Sequence, residues 1–117
     1  MIQTNSAAER SVKSSADKVY FTYIIRCSDG SLYTGITTDI KRRMSEHLSK
    51  GSKSAKYTKS HTAKKTEAVW ECQSKSLASK LEYRIKRLKK QEKEYLISEN
   101  DFSVFKEKVD QTDYSRL

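Results

Sequence analysis

The sequence has few cysteines, few glycines and no long apolar run. Its 117 residues include two cysteines, three glycines and no proline. Two cysteines without the paired spacing of a thiolate metal site make no disulfide framework, so we expect a reducing, intracellular setting. No stretch approaches the ~20 apolar residues that span a bilayer, and residues 1–18 have no apolar core of signal-peptide type. We therefore expect a cytoplasmic protein with no membrane segment.

Positive charge is concentrated in the middle of the chain. Lys and Arg number 24 against 15 Asp and Glu, which gives a formal net charge of +9. Residues 19–98 carry 18 of these bases but only eight of the acids, whereas residues 99–117 hold more acids than bases. A compact basic segment favours a phosphate-bearing partner, above all nucleic acid. The alternative is an ordinary solvated basic surface.

The hydrophobic pattern predicts one domain with a flexible extension before it and a tail after it. Residues 1–18 are rich in Ser, Ala and charge and predict a flexible extension. The domain is predicted over 19–98, and the apolar spacing in the tail over 99–117 predicts a short packed helix. The predicted elements are strands at 19–27 and 32–36, a helix capped by Thr38 or Asp39, a surface loop over 49–65, a strand at 67–72, a helix capped by Ser76, and another helix or its continuation at 95–97.

The first two strands form a hairpin whose loop length is open. A two-residue loop at Asp29 and Gly30 places Tyr23 and Tyr33 on opposite faces of the sheet. A three-residue loop over Ser28–Gly30, with Gly30 left-handed, pairs Ile25 with Tyr33 and places both tyrosines on one face.

The first predicted helix has an apolar side and a polar side. Its apolar residues Ile40, Met44 and Leu48 recur every four positions, whereas Arg43 and His47 lie one turn apart on another flank. His47 is therefore not expected to be a core residue. On a later helix, Glu82 lies beside the apolar stripe.

These polar residues occur together in an order that resembles a known family. Tyr23 on the first strand, Tyr33 and Gly35 on the second, Arg43 and His47 on the first helix and Glu82 on the later one resemble the GIY-YIG nuclease family. Residues 23–39 and 82–88 are similar to its small stand-alone bacterial members, and the resemblance covers about 19–97. It implies an α+β fold, with a three-stranded antiparallel sheet flanked by helices. It also implies a divalent-metal-dependent endonuclease for DNA, with a role in DNA repair.

The resemblance implies a role for each residue. Glu82 would be the one protein ligand of a single Mg²⁺ or Mn²⁺ ion, since such ions keep most of their waters. Arg43 would contact the scissile phosphate, and His47 the same phosphate or the attacking water. Tyr23 and Tyr33 would line the site, one of them positioning or deprotonating the water, and the sequence does not decide which.

Each of these residues also has a plain structural interpretation. Glu82 could be an exposed helix residue paired with Lys86 four positions on. The strand tyrosines could be packing residues, and Arg43 a solvated arginine. Gly35 is expected to allow close approach of backbone or substrate, or simply to mark a bulge.

The expected partner is DNA, branched or single-stranded, with RNA not excluded. Basic side chains and one ring are expected to bind it by charge and stacking: Lys53, Lys56, Tyr57, Lys59 and Lys86. No small-molecule cofactor is expected, and the oligomeric state is not predicted. One rival is a nucleic-acid-binding module with weak or no catalysis. Another is a protein-binding adaptor that would expose Phe102 and Phe105.

The sequence departs from the family pattern in three places. The first motif reads Thr22-Tyr23-Ile24, with no Gly-Ile before the tyrosine. Thr62–Lys65 replaces a proline-containing turn often seen before the third strand. Larger relatives use a further asparagine late in the domain, for which Asn100 is the only downstream candidate.

Overall fold

The chain folds into an antiparallel sheet with helices on both faces. The computed structural model describes residues 18–49 and 61–117. Its strands are β1 (Tyr20–Cys27), β2 (Leu32–Thr37), β3 (Ala63–Cys72) and β4 (Ser115–Arg116), and its helices are α1 (Ile40–Ser49), α2 (Lys75–Lys86) and α3 (Lys90–Glu99). The strand order is β2-β1-β3-β4. The predicted α+β class with an antiparallel sheet is confirmed, and the two-residue β4 adds a fourth strand to the three expected ones.

The β1–β2 hairpin has the three-residue loop. The Cys27 amide donates to the Ser31 carbonyl at 2.8 Å. Gly30 has a φ of +87°, a left-handed conformation that favours glycine. The register pairs Tyr23 with Gly35 and Ile25 with Tyr33. Because side chains alternate along a strand, Tyr23 and Tyr33 lie on the same face.

The two faces of the sheet are covered by different helices. On one face, Ile24 belongs to the larger core, which includes Leu81 of α2 and Leu96 of α3. On the other face, Tyr23 and Ile25 form a smaller cluster against the first helix, with Ile40 and Met44 packed on it. Within residues 18–49 and 61–117, no helix has the length and apolar character needed to cross a membrane.

Two predicted boundaries are wrong, and of the two alternatives for residues 95–97 the structure has the separate helix. Ser74, and not Ser76, caps α2, since its Oγ accepts from the Leu77 amide at 3.1 Å. Strand β3 begins at Ala63, inside the predicted surface loop, because pairing with β1 extends to the Cys27–Ala63 pair. The third helix is separate from α2 and begins at Lys90.

The tail forms short turns instead of the predicted α-helix. It contains 3₁₀ turns at Phe102–Val104 and Gln111–Asp113. Asp101 and Asp110 each accept a hydrogen bond from the amide two residues on, at 3.0 Å, and such local bonds compete with a helix. Phe102 and Phe105 are only 5% and 7% exposed. The adaptor interpretation is therefore wrong, because these rings belong to the core.

Candidate active site

Two tyrosines and a glycine form the floor of the site. Tyr23 of β1 is 1% exposed and is paired with Gly35 on the neighbouring strand β2. A Cβ added to Gly35 would be 2.5 Å from the Tyr23 Oη and 3.2 Å from the Tyr33 Cε2. The missing side chain therefore makes room for the Tyr23 phenol, and no bulge interrupts the β1–β2 register here. The two tyrosine rings are 6.3 Å apart, between centroids.

His47 is buried between the tyrosines. Asp39 caps α1 by accepting from the Arg42 amide at 3.0 Å. About two helical turns later, the His47 side chain points into the protein. Its ring centroid is 5.5 Å from that of Tyr23 and 5.4 Å from that of Tyr33, and its Nε2 is 2.9 Å from the Tyr23 Oη. The expectation that His47 is not a core residue is wrong, since it is 0% exposed. The hydrogen bond with the Tyr23 hydroxyl offsets the cost of burying the polar ring of His47.

Burial keeps His47 uncharged. Loss of water, reinforced by the positive charge of Arg43, lowers its pKa from 6.5 to about 4. At neutral pH the ring is therefore neutral, with one nitrogen able to accept a hydrogen bond.

Arg43 is held from two sides. It donates to the hydroxyl of Tyr23, and its Nη1 donates to the Glu46 Oε1 at 2.7 Å. Glu46 also accepts from the Arg42 Nη1 at 2.7 Å, so one carboxylate joins both arginines. The sequence interpretation missed Glu46. Glu46 follows Arg43 by three residues and Arg42 by four, a spacing that indicates ion pairs on a helix.

The Tyr23 hydroxyl resists ionisation. Burial raises its pKa to about 12, against the lowering effect of the hydrogen bond from Arg43. The charge of Glu82 is among the influences that raise it further, so this carboxylate is within electrostatic range of Tyr23.

Glu82 comes from the opposite side of the sheet. Its helix α2 is joined to β1 by a hydrogen bond from the Thr22 Oγ1 to the Ala78 carbonyl, 2.9 Å long. The Glu82 side chain is 24% exposed, and its Oε2 is 3.2 Å from the Lys86 Nζ. The structural interpretation of Glu82, an i to i+4 ion pair with Lys86, is therefore present in the structure.

The donor set fits a weakly chelated hard cation. No group of three or more His, Cys, Asp or Glu that could hold a metal occurs in the described part of the chain. Glu82 supplies one partly exposed carboxylate, and an ion that keeps several waters needs only one or two carboxylates together with substrate phosphate oxygens.

The described residues include only part of the predicted set. Lys53, Lys56, Tyr57 and Lys59 are outside the described residues. Asn100 accepts from the Trp70 Nε1 at 2.8 Å and ends α3 with a φ of 51°, which is a structural role.

A known protein family matches most of the chain. The family model described as the GIY-YIG catalytic domain matches residues 19–95. The chain therefore belongs to the GIY-YIG family, a nuclease family that acts on nucleic acid and generally depends on divalent metal. The predicted membership is confirmed.

Similar proteins are short chains named UPF0213. One from Fusobacterium nucleatum is 50% identical over 82 residues, covering 70% of this chain and 80% of its own length. One from Desulfotalea psychrophila is 46% identical over 87 residues, covering 73% and 78%. The solution NMR structure of a UPF0213 protein from Bacillus halodurans is 42% identical, covers 68% of this chain and 83% of its own, and has a TM-score of 0.45. These names state no activity.

Proposed function

We propose that the chain is a divalent-metal-dependent endonuclease that hydrolyses DNA phosphodiester bonds and selects DNA by shape. The observation that carries the proposal is the convergence of Tyr23, Tyr33, Arg43 and His47 on one face of the hairpin, with the charge of Glu82 acting on Tyr23. Opposite faces for the two tyrosines would have argued against catalysis. Family membership supplies the bond type.

Arg43 would bind the scissile phosphate. Its side chain is 22% exposed, so a phosphate can reach it, while Glu46 and Tyr23 fix its position. A guanidinium stays charged at all relevant pH values and can donate two parallel hydrogen bonds to phosphate oxygens. Its charge would stabilise the extra negative charge of the transition state.

Tyr33 would contact the attacking water through its phenol oxygen, and its tyrosinate form, after its own proton has passed to solvent, would take the proton of that water. Tyr23 is a poor candidate because its hydroxyl is buried and its pKa is raised to about 12. Tyr33 is only partly buried and lies on the same face.

Tyr23 and His47 would hold this arrangement in place. Because Arg43 can only donate, the Tyr23 oxygen accepts from it, and its own hydrogen is then directed to the neutral His47. In this arrangement the proton of the His47 ring would be on Nδ1. Tyr23 and His47 would together fix the position of the Arg43 guanidinium.

Glu82 would hold the divalent ion. When bound, such an ion supplies positive charge that stabilises the oxygen leaving the phosphorus. Release of Glu82 from Lys86 would accompany binding, and Lys86 would then be available for a phosphate of the DNA.

Selection by shape follows from the small size of the domain. Direct reading of base pairs needs a helix or a two-stranded ribbon placed in the major groove. In the described part of the chain, α1 and α2 pack against the sheet and α3 contributes Leu96 to the core. DNA ends, branches and single-stranded arms are therefore the proposed substrates.

The alternative function is a nucleic-acid-binding module with weak or no catalysis. The observation that favours it is the ion pair of Glu82 with Lys86, which competes with a metal ion for the carboxylate. The two functions make opposite predictions for cleavage and the same prediction for binding.

The test is cleavage of end-labelled linear, splayed and branched DNA with Mg²⁺ or Mn²⁺. We expect metal-dependent cutting of splayed or branched DNA by the wild type, and loss of cutting in Glu82→Ala. Glu99→Ala is the matched control, because Glu99 is an exposed glutamate at the end of α3. Salt-sensitive binding without cutting would support the alternative, and equal cutting by Glu82→Ala would contradict the role of Glu82.

A further inference from the structure

A positively charged cleft lies at the end of α2. It has a volume of about 190 Å³ and is bounded by the end of α2, the start of α3 and the tail. Its charged lining residues are four cations and two acids: Arg84, Arg87, Lys89, Lys106, Glu92 and Glu107. The cations outnumber the acids, so the cleft attracts anions.

The two acids are already engaged by groups of the protein. Glu92 accepts from the Lys89 amide at 2.7 Å and so caps the first turn of α3. Glu107 forms an ion pair with Arg84. The Glu107 side chain is 65% exposed, so another anion can replace it at little cost.

The two arginines of the cleft are held in place before any ligand binds. The guanidinium carbons of Arg84 and Arg87 are 5.3 Å and 5.4 Å from the centroid of the Tyr83 ring. Among the described residues, the buried Nε of Arg84 has no hydrogen-bond partner. The fold therefore leaves hydrogen-bonding capacity of Arg84 unused in a confined, basic space.

We propose that this cleft binds a backbone phosphate of a DNA strand that leaves the candidate active site. Pockets that enclose drug-sized ligands have volumes of roughly 300–1,000 Å³. A cleft of about 190 Å³ suits a single phosphodiester group better than a whole nucleotide. The proposal rests on the proposed function, because it takes DNA as the substrate.

The position of the cleft favours a bent or single-stranded arm. Arg84 follows Glu82 by two residues, which corresponds to about 200° around a helix axis. The cleft and Glu82 therefore face different sides of α2. A straight duplex bound over Glu82 would not contact the cleft. A flexible single-stranded arm can bend around the end of α2 and reach it.

The test compares two double variants with equal changes in charge. Arg87→Glu with Lys106→Glu alters the cleft, and Lys75→Glu with Lys108→Glu alters exposed positions outside its lining. None of these residues belongs to the candidate active site. Binding of fluorescein-labelled splayed DNA and of blunt duplex is measured by fluorescence anisotropy at several salt concentrations, with the fold checked by circular dichroism.

We expect the cleft variant to bind splayed DNA roughly tenfold more weakly than the control variant, with a salt dependence shallower by about one phosphate contact. Binding of blunt duplex should be the same in both variants. Equal weakening in both variants, or wild-type affinity of the cleft variant for splayed DNA, would overturn the proposal while leaving wild-type binding and cutting intact. Absence of any DNA binding by the wild type would instead overturn the proposed function, and this inference with it.

Discussion

A methyl group at Gly35 should disturb the site by contact alone. In Gly35→Ala the new Cβ would be 2.5 Å from the Tyr23 Oη and 2.7 Å from its Cζ. Ordinary contacts between carbon atoms are about 3.5–4.0 Å, so the phenol has to move by about 1 Å. Tyr23 packs against His47 and is bonded to Arg43, so this movement strains both contacts.

The expected cost follows from two effects. Overpacking of a core costs about 1–3 kcal/mol, and a weakened hydrogen bond adds about 1 kcal/mol. We therefore expect Gly35→Ala to lower the free energy of unfolding by roughly 2–4 kcal/mol. The measurement is urea denaturation followed by the fluorescence of Trp70, the single tryptophan.

Repeating Gly35→Ala in a Tyr23→Leu variant separates the contact with Tyr23 from other effects of the alanine. In Tyr23→Leu the atoms that would collide are absent, so adding Gly35→Ala should change the unfolding free energy by less than about 0.5 kcal/mol. Gly30→Ala serves as a contrast, because its cost arises from a φ of +87° and should be the same in both backgrounds. Equal costs of Gly35→Ala in both backgrounds would show that contact with Tyr23 is not the cause.

Three further predictions concern the surroundings of the site and the tail. Because the folded state lowers the pKa of His47 from 6.5 to about 4, the unfolded chain binds the proton first as pH falls. Urea denaturation should therefore show a loss of about 2 kcal/mol between pH 7 and pH 5 that His47→Gln removes. In Glu46→Gln, Arg43 loses its ionic partner, so kcat for DNA cleavage should fall about tenfold with KM little changed. Phe102→Ala removes a ring packed 6.1 Å from that of Trp70 and should cost about 3–4 kcal/mol in urea denaturation.

Each of these predictions has a result that contradicts it. The same pH dependence in His47→Gln and wild type would mean that another group titrates. Unchanged kcat in Glu46→Gln would show that Tyr23 alone is enough to position Arg43. A cost below about 1 kcal/mol for Phe102→Ala would mean that the tail adds little to the core.

The register of the hairpin shows where sequence reasoning ends. Both loop lengths were consistent with the residues, because Asp29 and Gly30 suit either turn. Two hydrogen bonds characterise the three-residue loop. The Cys27 amide donates to the Ser31 carbonyl, and the Asp29 side chain accepts from the Ser31 amide at 3.0 Å. The strand formers themselves were recognisable, since β-branched and aromatic residues are dense in both runs.

The burial of His47 was not predictable from helix periodicity. The apolar stripe pointed to Leu48, yet Leu48 is 49% exposed and His47 is fully buried. The partner that makes a buried imidazole acceptable, the Tyr23 hydroxyl, lies 24 residues earlier in the chain. A pattern read along one helix cannot include a contact with a distant strand.

The tail illustrates the same limit for local structure. The spacing of Phe102, Phe105 and Val109 fits a helix, and all three side chains are indeed buried. Local bonds to the Asp101 and Asp110 side chains break the segment into short turns instead. Apolar spacing therefore predicted which residues enter the core, but not the backbone that brings them there.

Arg43 is the residue proposed to contact the phosphate that is cut. Its neighbour Arg42 is a matched control, because both arginines donate to Glu46 but only Arg43 also donates to Tyr23. The measurement is the single-turnover rate of splayed-DNA cleavage with Mg²⁺ for the wild type, Arg43→Ala and Arg42→Ala. We expect a loss of about 10²–10³-fold in Arg43→Ala and less than about threefold in Arg42→Ala. Equal rates for the two variants would contradict it.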